Sequence, residues 1–188
     1  MLDYESSRDE TDKFCSYHNY RLLYQNFFLT PHRKILEIGT SSCGFAKFLK
    51  DNNIGEFLVG ADLRKDIVSG HVPSNKTWCN LFDEFYVGDV SKPEFKEWAE
   101  SNFRNDFDLI IEDCSHKLEQ QKYLITLSQT LLSEKGVWIT EDIHGYDNAK
   151  EIVKHVPDAL QGFAYVWDGW DSKKRYDDFC VVIDRRRI

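Results

Sequence analysis

Asp113-Cys-Ser-His116 follows the apolar run Phe107-Asp-Leu-Ile-Ile111, and the pair Glu141-Asp142 follows a second run, Gly136-Val-Trp-Ile-Thr140. Parallel strands lie about 4.8 Å apart. Were both runs neighbouring parallel strands, the carboxylates of Asp113, Glu141 and Asp142 would converge at their carboxyl ends, where open α/β sheets bind ligands. Three carboxylates at one edge suit a hard cation such as Mg²⁺. His116, three residues past Asp113, would stand beside that cation, and its unperturbed pKa of about 6.5 suits a general base at neutral pH.

The chain around these residues alternates strand-like and helix-like segments. Strands are expected at 34–38, 57–60, 85–87, 107–111, 136–140, 163–167 and 179–183. Helices are expected from Phe45, after Pro93, after His116 with Leu124, Leu127 and Leu131 on one face, and over 148–156 before Pro157. Ser91 and Glu94 have capping-box spacing around Pro93. The stretch 64–81 holds Gly70, Pro73, Ser74 and Asn75 without a sustained period and reads as a short helix plus loop. Before the first strand, Phe14, Tyr17, Tyr20, Tyr24 and Phe27 recur every three or four residues and predict an aromatic-faced helix ending before Pro31.

This alternation implies a single βαβ domain with a mostly parallel sheet and helices on both faces. Only the loop 168–178 joins the final two strands, too short for a parallel crossover, so they are expected to run antiparallel. That loop could carry Trp167, Trp170 and Arg175 to a substrate.

Gly39-Thr-Ser-Ser-Cys-Gly44 lies between the first strand and its helix, where glycine lets the backbone approach a ligand. Asp62 ends the second strand and could accept hydrogen bonds from ribose hydroxyls. NAD enzymes share these features. Glu37, two residues before the first glycine, and Asp89, ending the third strand, add to them.

Together the pattern resembles the class I S-adenosylmethionine-dependent methyltransferases from about Lys34 to Ile183, with Glu37-Ile-Gly39 as the start of their first motif. The resemblance implies their Rossmann-like fold of seven strands with an antiparallel last strand. It makes Asp62 the ribose acid and Asp89 the residue near the adenine. Ser41 and Cys43 stand where the family has two glycines, and only Gly44 remains.

Within that superfamily, Asp113-Cys-Ser-His116 and Glu141-Asp142 are similar to the Asp-x-x-His and Glu-Asp segments of the metal-dependent macrolide sugar O-methyltransferases of the macrocin and mycinamicin type. The resemblance implies Mg²⁺ held by Asp113, Glu141 and Asp142, with His116 as catalytic base. Thr11-Asp-Lys13, His18, Tyr20 and Tyr24 resemble the segment that helps close that family's cofactor pocket. The S-adenosylmethionine contacts implied are Lys13, Tyr20, Glu37, Gly39, Thr40 and Gly44, then Asp62, Leu63, Asp89, Val90 and Glu112. Methyl transfer to a hydroxyl of a sugar or polyol-like small molecule is the activity implied. A counterpart of the family's extra N-terminal domain is not expected here, so oligomeric state is not carried over and a homo-oligomer stays open.

Composition bounds these readings. The 188 residues are expected to form one domain burying roughly 70% of the unfolded chain's surface. Lys and Arg number 24 against 32 Asp and Glu, net −8, the wrong sign for neutralising nucleic-acid phosphates. The five cysteines are odd in number and lack a Cys-x-x-Cys pair, which indicates neither a disulfide framework nor structural zinc and leads us to expect a reducing cytoplasm. The polar, acidic start lacks signal-peptide character. No apolar stretch nears the ~20 residues that span a bilayer.

Plainer readings stand beside these. Strand-end acids can merely cap the next helix, and His116 can be a solvated first-turn residue. His18, His71, His144 and His155 read individually as structural or exposed, and Cys43 and Cys114 as small fillers. Three other functions stay open: a cephalosporin hydroxylase-like metal enzyme, an NAD-dependent oxidoreductase, and a non-catalytic adenosyl-ligand binding protein.

Overall fold

Lys34–Ile38 (β1) and Phe107–Glu112 (β4) are runs of branched and aromatic residues, nearly all buried, the pattern of strands covered on both faces. They form the centre of a seven-stranded sheet. The computed structural model describes residues 2, 4, 11–14, 18, 20–30, 32–64, 79–170 and 175–187. The remaining strands are Phe57–Asp62 (β2), Glu84–Val87 (β3), Leu132–Ile143 (β5), Ala164–Asp168 (β6) and Phe179–Asp184 (β7). Their spatial order is β3-β2-β1-β4-β5-β7-β6. β7 runs antiparallel to both its neighbours, and the other pairings are parallel. This is the Rossmann-like methyltransferase arrangement expected from the sequence.

Alternate residues feed two cores. Leu36, Ile38, Val59, Ala61, Ile110 and Trp138 belong to one, completed by helices Pro93–Phe103 (α3), Leu118–Ile125 (α4), Ser128–Leu131 (α5) and Tyr146–Val153 (α6). Ile35, Leu58, Leu109, Ile111, Val137 and Ile139 belong to the other, beneath Arg21–Tyr24 (α1) and Gly44–Asp51 (α2). In α2 the buried Phe45, Phe48 and Leu49 have the three- and four-residue spacing that puts them on one face. Phe95, Ala99 and Phe103 do the same in α3, whose first turn carries Pro93 and Glu94.

Several local expectations are corrected. The aromatic N-terminal segment is not one helix: Asp12–Phe14 is a 3₁₀ turn, α1 spans only Arg21–Tyr24, and turns follow to Leu29. Its rings are nonetheless core, with Phe14, Tyr20, Tyr24 and Phe27 buried and Tyr17 outside the described residues. Packing onto the sheet decided the backbone there, since a short helix has little stability of its own. The Ser91 and Glu94 capping box does not form: Lys92 is the N-cap, and the Ser91 hydroxyl donates to Asp89 Oδ1 at 2.6 Å. His116 opens no helix, because α4 begins at Leu118 and His116 adopts φ 54° in the preceding loop. β5 runs on to Ile143, so Glu141 and Asp142 lie within the strand instead of after it. Of the stretch 64–81, residues 65–78, His71 among them, fall outside the described set, and Cys79–Leu81 is a 3₁₀ turn.

The cysteine expectation also changes. Cys43 is disulfide-bonded, while Cys114 and Cys180 are free thiols.

Candidate functional site

Register assembles the site. Ile38 is level with Ala61 on one side and Glu112 on the other, so the turns after β1, β2 and β4 leave from a common edge. Glu112 is paired in turn with Thr140, which sets the next residues, Asp113 and Glu141, side by side. Pairing of β5 with β7 shifts between Thr140 and Ile143, and Asp142 sits in this irregularity with φ 52°. Such a bulge re-aims a strand side chain. Here consecutive carboxylates serve different partners.

At the β1 edge is a cleft of about 670 Å³, within the range of about 300 to 1,000 Å³ usual for small-molecule sites. Gly39, Asp62, Leu63, Asp89 and Val90, five of the residues expected at the cofactor, line it. Gly39 is obligatory on two grounds: its φ is +88°, and a Cβ there would fall 2.1 Å from the Asp113 carbonyl oxygen. Asp62 Oδ2 accepts the amides of Thr40 and Ser41 at 2.9 and 3.0 Å, tying the turn to the end of β2. Asp89 Oδ1 accepts the Ser91 amide and hydroxyl, and these bonds hold its pKa below the usual value.

The cleft also takes Ser41, Ser91, Cys114 and Ser115, and from the start of α4 Lys117, Gln120 and Tyr123, which sequence reasoning missed. Placing the helix start two residues later would have pointed the Lys117–Tyr123 turn at the edge. Glu37, Thr40, Gly44 and Glu112, expected at the cofactor, do not line the cleft. Glu37, Thr40 and Glu112 are buried beside it, and Gly44 begins α2. Burial pushes Glu37 well above the carboxylate range and Glu112 to about 7, and each has one oxygen without a partner. The other Glu112 oxygen accepts the Cys114 thiol at 2.9 Å.

The carboxylates meet a cation from the chain itself. Lys13 Nζ ion-pairs with both Asp113 and Glu141. Tyr24 donates to Glu141 Oε1 at 2.6 Å, and Tyr20 donates to Asp142 Oδ1. Lys13 and Tyr20 were expected at the cofactor; their polar atoms are instead committed to the carboxylates, because the aromatic segment packs across the strand ends. Burial would raise Asp113, but Lys13 and His116 outweigh it and hold its pKa down. Glu141 is raised to about 8 and Asp142 to about 6, burial leading in both cases and Asp113 adding repulsion.

Donor atoms of Asp113, His116 and Asp142 lie within 4.8 Å of one another, a group able to hold a metal ion. Glu141 is not in that group and faces Lys13 and Tyr24. His116 Nδ1 is buried, has no hydrogen-bond partner and lies 3.8 Å from Asp113 Oδ1. Its ring is 6.5 Å from that of His144, which meets Tyr176 edge-on at 5.1 Å. Of the β6–β7 residues expected to reach a substrate, Trp167 packs against Tyr20, Trp170 is exposed, and Arg175 is paired with Asp177 through two hydrogen bonds. His155 bonds the Glu151 carbonyl in α6, as a structural histidine would.

No protein-family model and no curated protein matches the sequence. Solved structures do match in fold. The MycE methyltransferase of the mycinamycin biosynthetic pathway, in complex with Mg and SAH, aligns over 95% of this chain and 53% of its own, with 19% identity and a TM-score of 0.65. The O-methyltransferase TomG from Streptomyces achromogenes, in complex with SAM, aligns over 96% of this chain and 88% of its own, with 17% identity and a TM-score of 0.58. Spermidine synthase from Thermotoga maritima aligns over 84% of this chain and 56% of its own, with 17% identity and a TM-score of 0.58. The chain thus spans about half the length of the MycE methyltransferase and of the spermidine synthase. Proteins of different activity share this fold, so function has to be argued from the site.

Proposed function

We propose that the protein is an S-adenosylmethionine-dependent O-methyltransferase, assisted by a divalent cation and acting on a hydroxyl of a sugar or polyol-like small molecule. The observation that carries this reading is one strand edge that joins the cleft lined by Gly39, Asp62 and Asp89 to the group formed by Asp113, His116 and Asp142. Asp113 belongs to both. The residues suit both groups. The cleft volume and the close backbone approach at Gly39 fit an adenosyl ligand, and the carboxylate oxygens of Asp113 and Asp142 fit a divalent cation.

When bound, S-adenosylmethionine supplies an electrophilic methyl group, and a divalent cation supplies a Lewis acid that lowers the pKa of an acceptor hydroxyl. The chain does the rest. Asp113 and Asp142 would hold the cation, with Glu141 held behind them by Lys13 and Tyr24. Asp62 and Asp89 would orient the cofactor from the ends of β2 and β3. His116 would take the acceptor proton at Nδ1. Position and deprotonation are what the protein contributes, the sulfonium being reactive already.

Calorimetry with S-adenosylhomocysteine, S-adenosylmethionine and NAD tests the cofactor. Binding of the first two is expected, and binding of NAD alone would overturn the reading. A screen of sugars and polyols with isotope-labelled methyl donor tests the reaction: a chelator should stop transfer and Mg²⁺ restore it, without loss of cofactor affinity. Among the described residues no helix is long and apolar enough to cross a membrane.

A further inference from the structure

By itself His18 reads from the sequence as structural or exposed, not catalytic. In the structure its imidazole bridges a carboxylate of β5 and one just before β7: Nδ1 lies 2.8 Å from Asp178 Oδ1, and Nε2 lies 3.5 Å from Asp142 Oδ2. His18 and Asp178 are out of water, 5% and 1% exposed. The ring stacks on Tyr20, centroids 5.1 Å apart and planes 18° from parallel, and Tyr20 donates to the other oxygen of Asp142. Both oxygens of Asp142 are therefore met from the N-terminal segment. The second oxygen of Asp178 is buried without a partner.

A buried carboxylate left half satisfied is costly and calls for an explanation. Asp177, next to it, shows the ordinary solution, its carboxylate closed off by Arg175. Asp178 instead turns to His18. A carboxylate hydrogen-bonded to one ring nitrogen of an imidazole fixes the plane of the ring, the means by which groups behind a metal site orient those that face it.

We propose that Asp178 and His18 are positioning residues for Asp142. Asp178 would hold the His18 ring so that Nε2 faces Asp142 Oδ2, and this would aim the Asp142 carboxylate at a divalent cation shared with Asp113. The proposal rests on the metal-assisted reading above. It adds a device that spans the N-terminal segment, the bulge in β5 and the start of β7.

The test measures Mn²⁺ binding to the whole protein by the loss of the free-ion paramagnetic resonance signal. S-adenosylhomocysteine affinity and melting temperature are measured on the same samples. Asp178→Asn should weaken Mn²⁺ binding about 10- to 100-fold and leave S-adenosylhomocysteine affinity unchanged. His18, Asp177 and Asp178 also have ligand atoms within 4.8 Å of one another, so Asp177→Asn, a change of the same size one residue away, is the control: unchanged Mn²⁺ affinity there is expected, and a loss equal to that of Asp178→Asn would make these residues the ion's own ligands and overturn the positioning role. Should Asp178→Asn fail to fold, His18→Gln decides by the same comparison. Wild-type Mn²⁺ affinity in the variant that folds would overturn the positioning role. Equal loss of both ligands would overturn it too, by marking the pair as structural. A wild-type protein that binds S-adenosylhomocysteine but no Mn²⁺ would instead sink the metal reading, and this proposal with it.

Discussion

His116 is the residue on which the proposed chemistry turns, and its surroundings fit a base better than a structural histidine. Its Nδ1 has no partner, and the left-handed backbone at φ 54° holds the ring ahead of the helix start. His116→Ala should lower turnover about 10²- to 10⁴-fold without changing S-adenosylhomocysteine affinity; near-wild-type turnover in a labelled-methyl assay would remove it from the mechanism. Glu37 presents a different case. Burial drives its pKa well above the carboxylate range, so the folded chain holds a proton there that the unfolded chain loses above about pH 4.3. A folded state that binds more protons loses stability as pH rises. Glu37→Gln removes that dependence, and its melting-temperature advantage over wild type should widen from about pH 5 to about pH 8. A constant or shrinking difference would show that Glu37 folds ionised.

At the scale of elements, the turn after β1 and the bulge in β5 organise the site. The Gly39 turn passes so close to the Asp113 carbonyl that any side chain must push the loop after β4 aside. Gly39→Ala combines left-handed strain with overlap against backbone and should cost at least about 1–3 kcal/mol in denaturant unfolding. It should also weaken S-adenosylhomocysteine binding, since the same turn lines the cleft; an unchanged midpoint would mean that the turn yields more easily than its contacts suggest. At the bulge Glu141 and Asp142 meet different partners. In a regular strand consecutive side chains alternate between faces, whereas the irregular backbone at Asp142 sets its carboxylate beside Asp113 and His116 while Glu141 stays with Lys13 and Tyr24.

Across the whole molecule, the N-terminal segment is tied to the sheet by charge as well as by aromatic packing. Lys13 is buried against Asp113 and Glu141, and Lys13→Met would leave both without their cation. Breaking a buried pair by removing one partner costs about 3–5 kcal/mol. The variant should therefore melt well below wild type at neutral pH, and Mn²⁺ should raise its melting temperature more than that of wild type. Equal Mn²⁺ shifts in the two proteins would mean that Lys13 and the cation do not share the same carboxylates.

The sequence alone determined the succession of strands and helices, because apolar runs between turn residues leave few ways to bury themselves. It also brought Asp62, Asp89, Asp113, Glu141 and Asp142 to one edge, since strand ends in a parallel sheet share a side. Only tertiary structure decided which of those carboxylates face one another. Lys13, Tyr20, Tyr24 and His18 reach them from a segment whose local period suggested a single helix, and what the segment packs against fixed its path. Asp178 could not be singled out in advance either: its contact with His18 joins residues 160 positions apart. Sequence spacing cannot register a contact of that kind, because the pairing of β7 between β5 and β6 creates it.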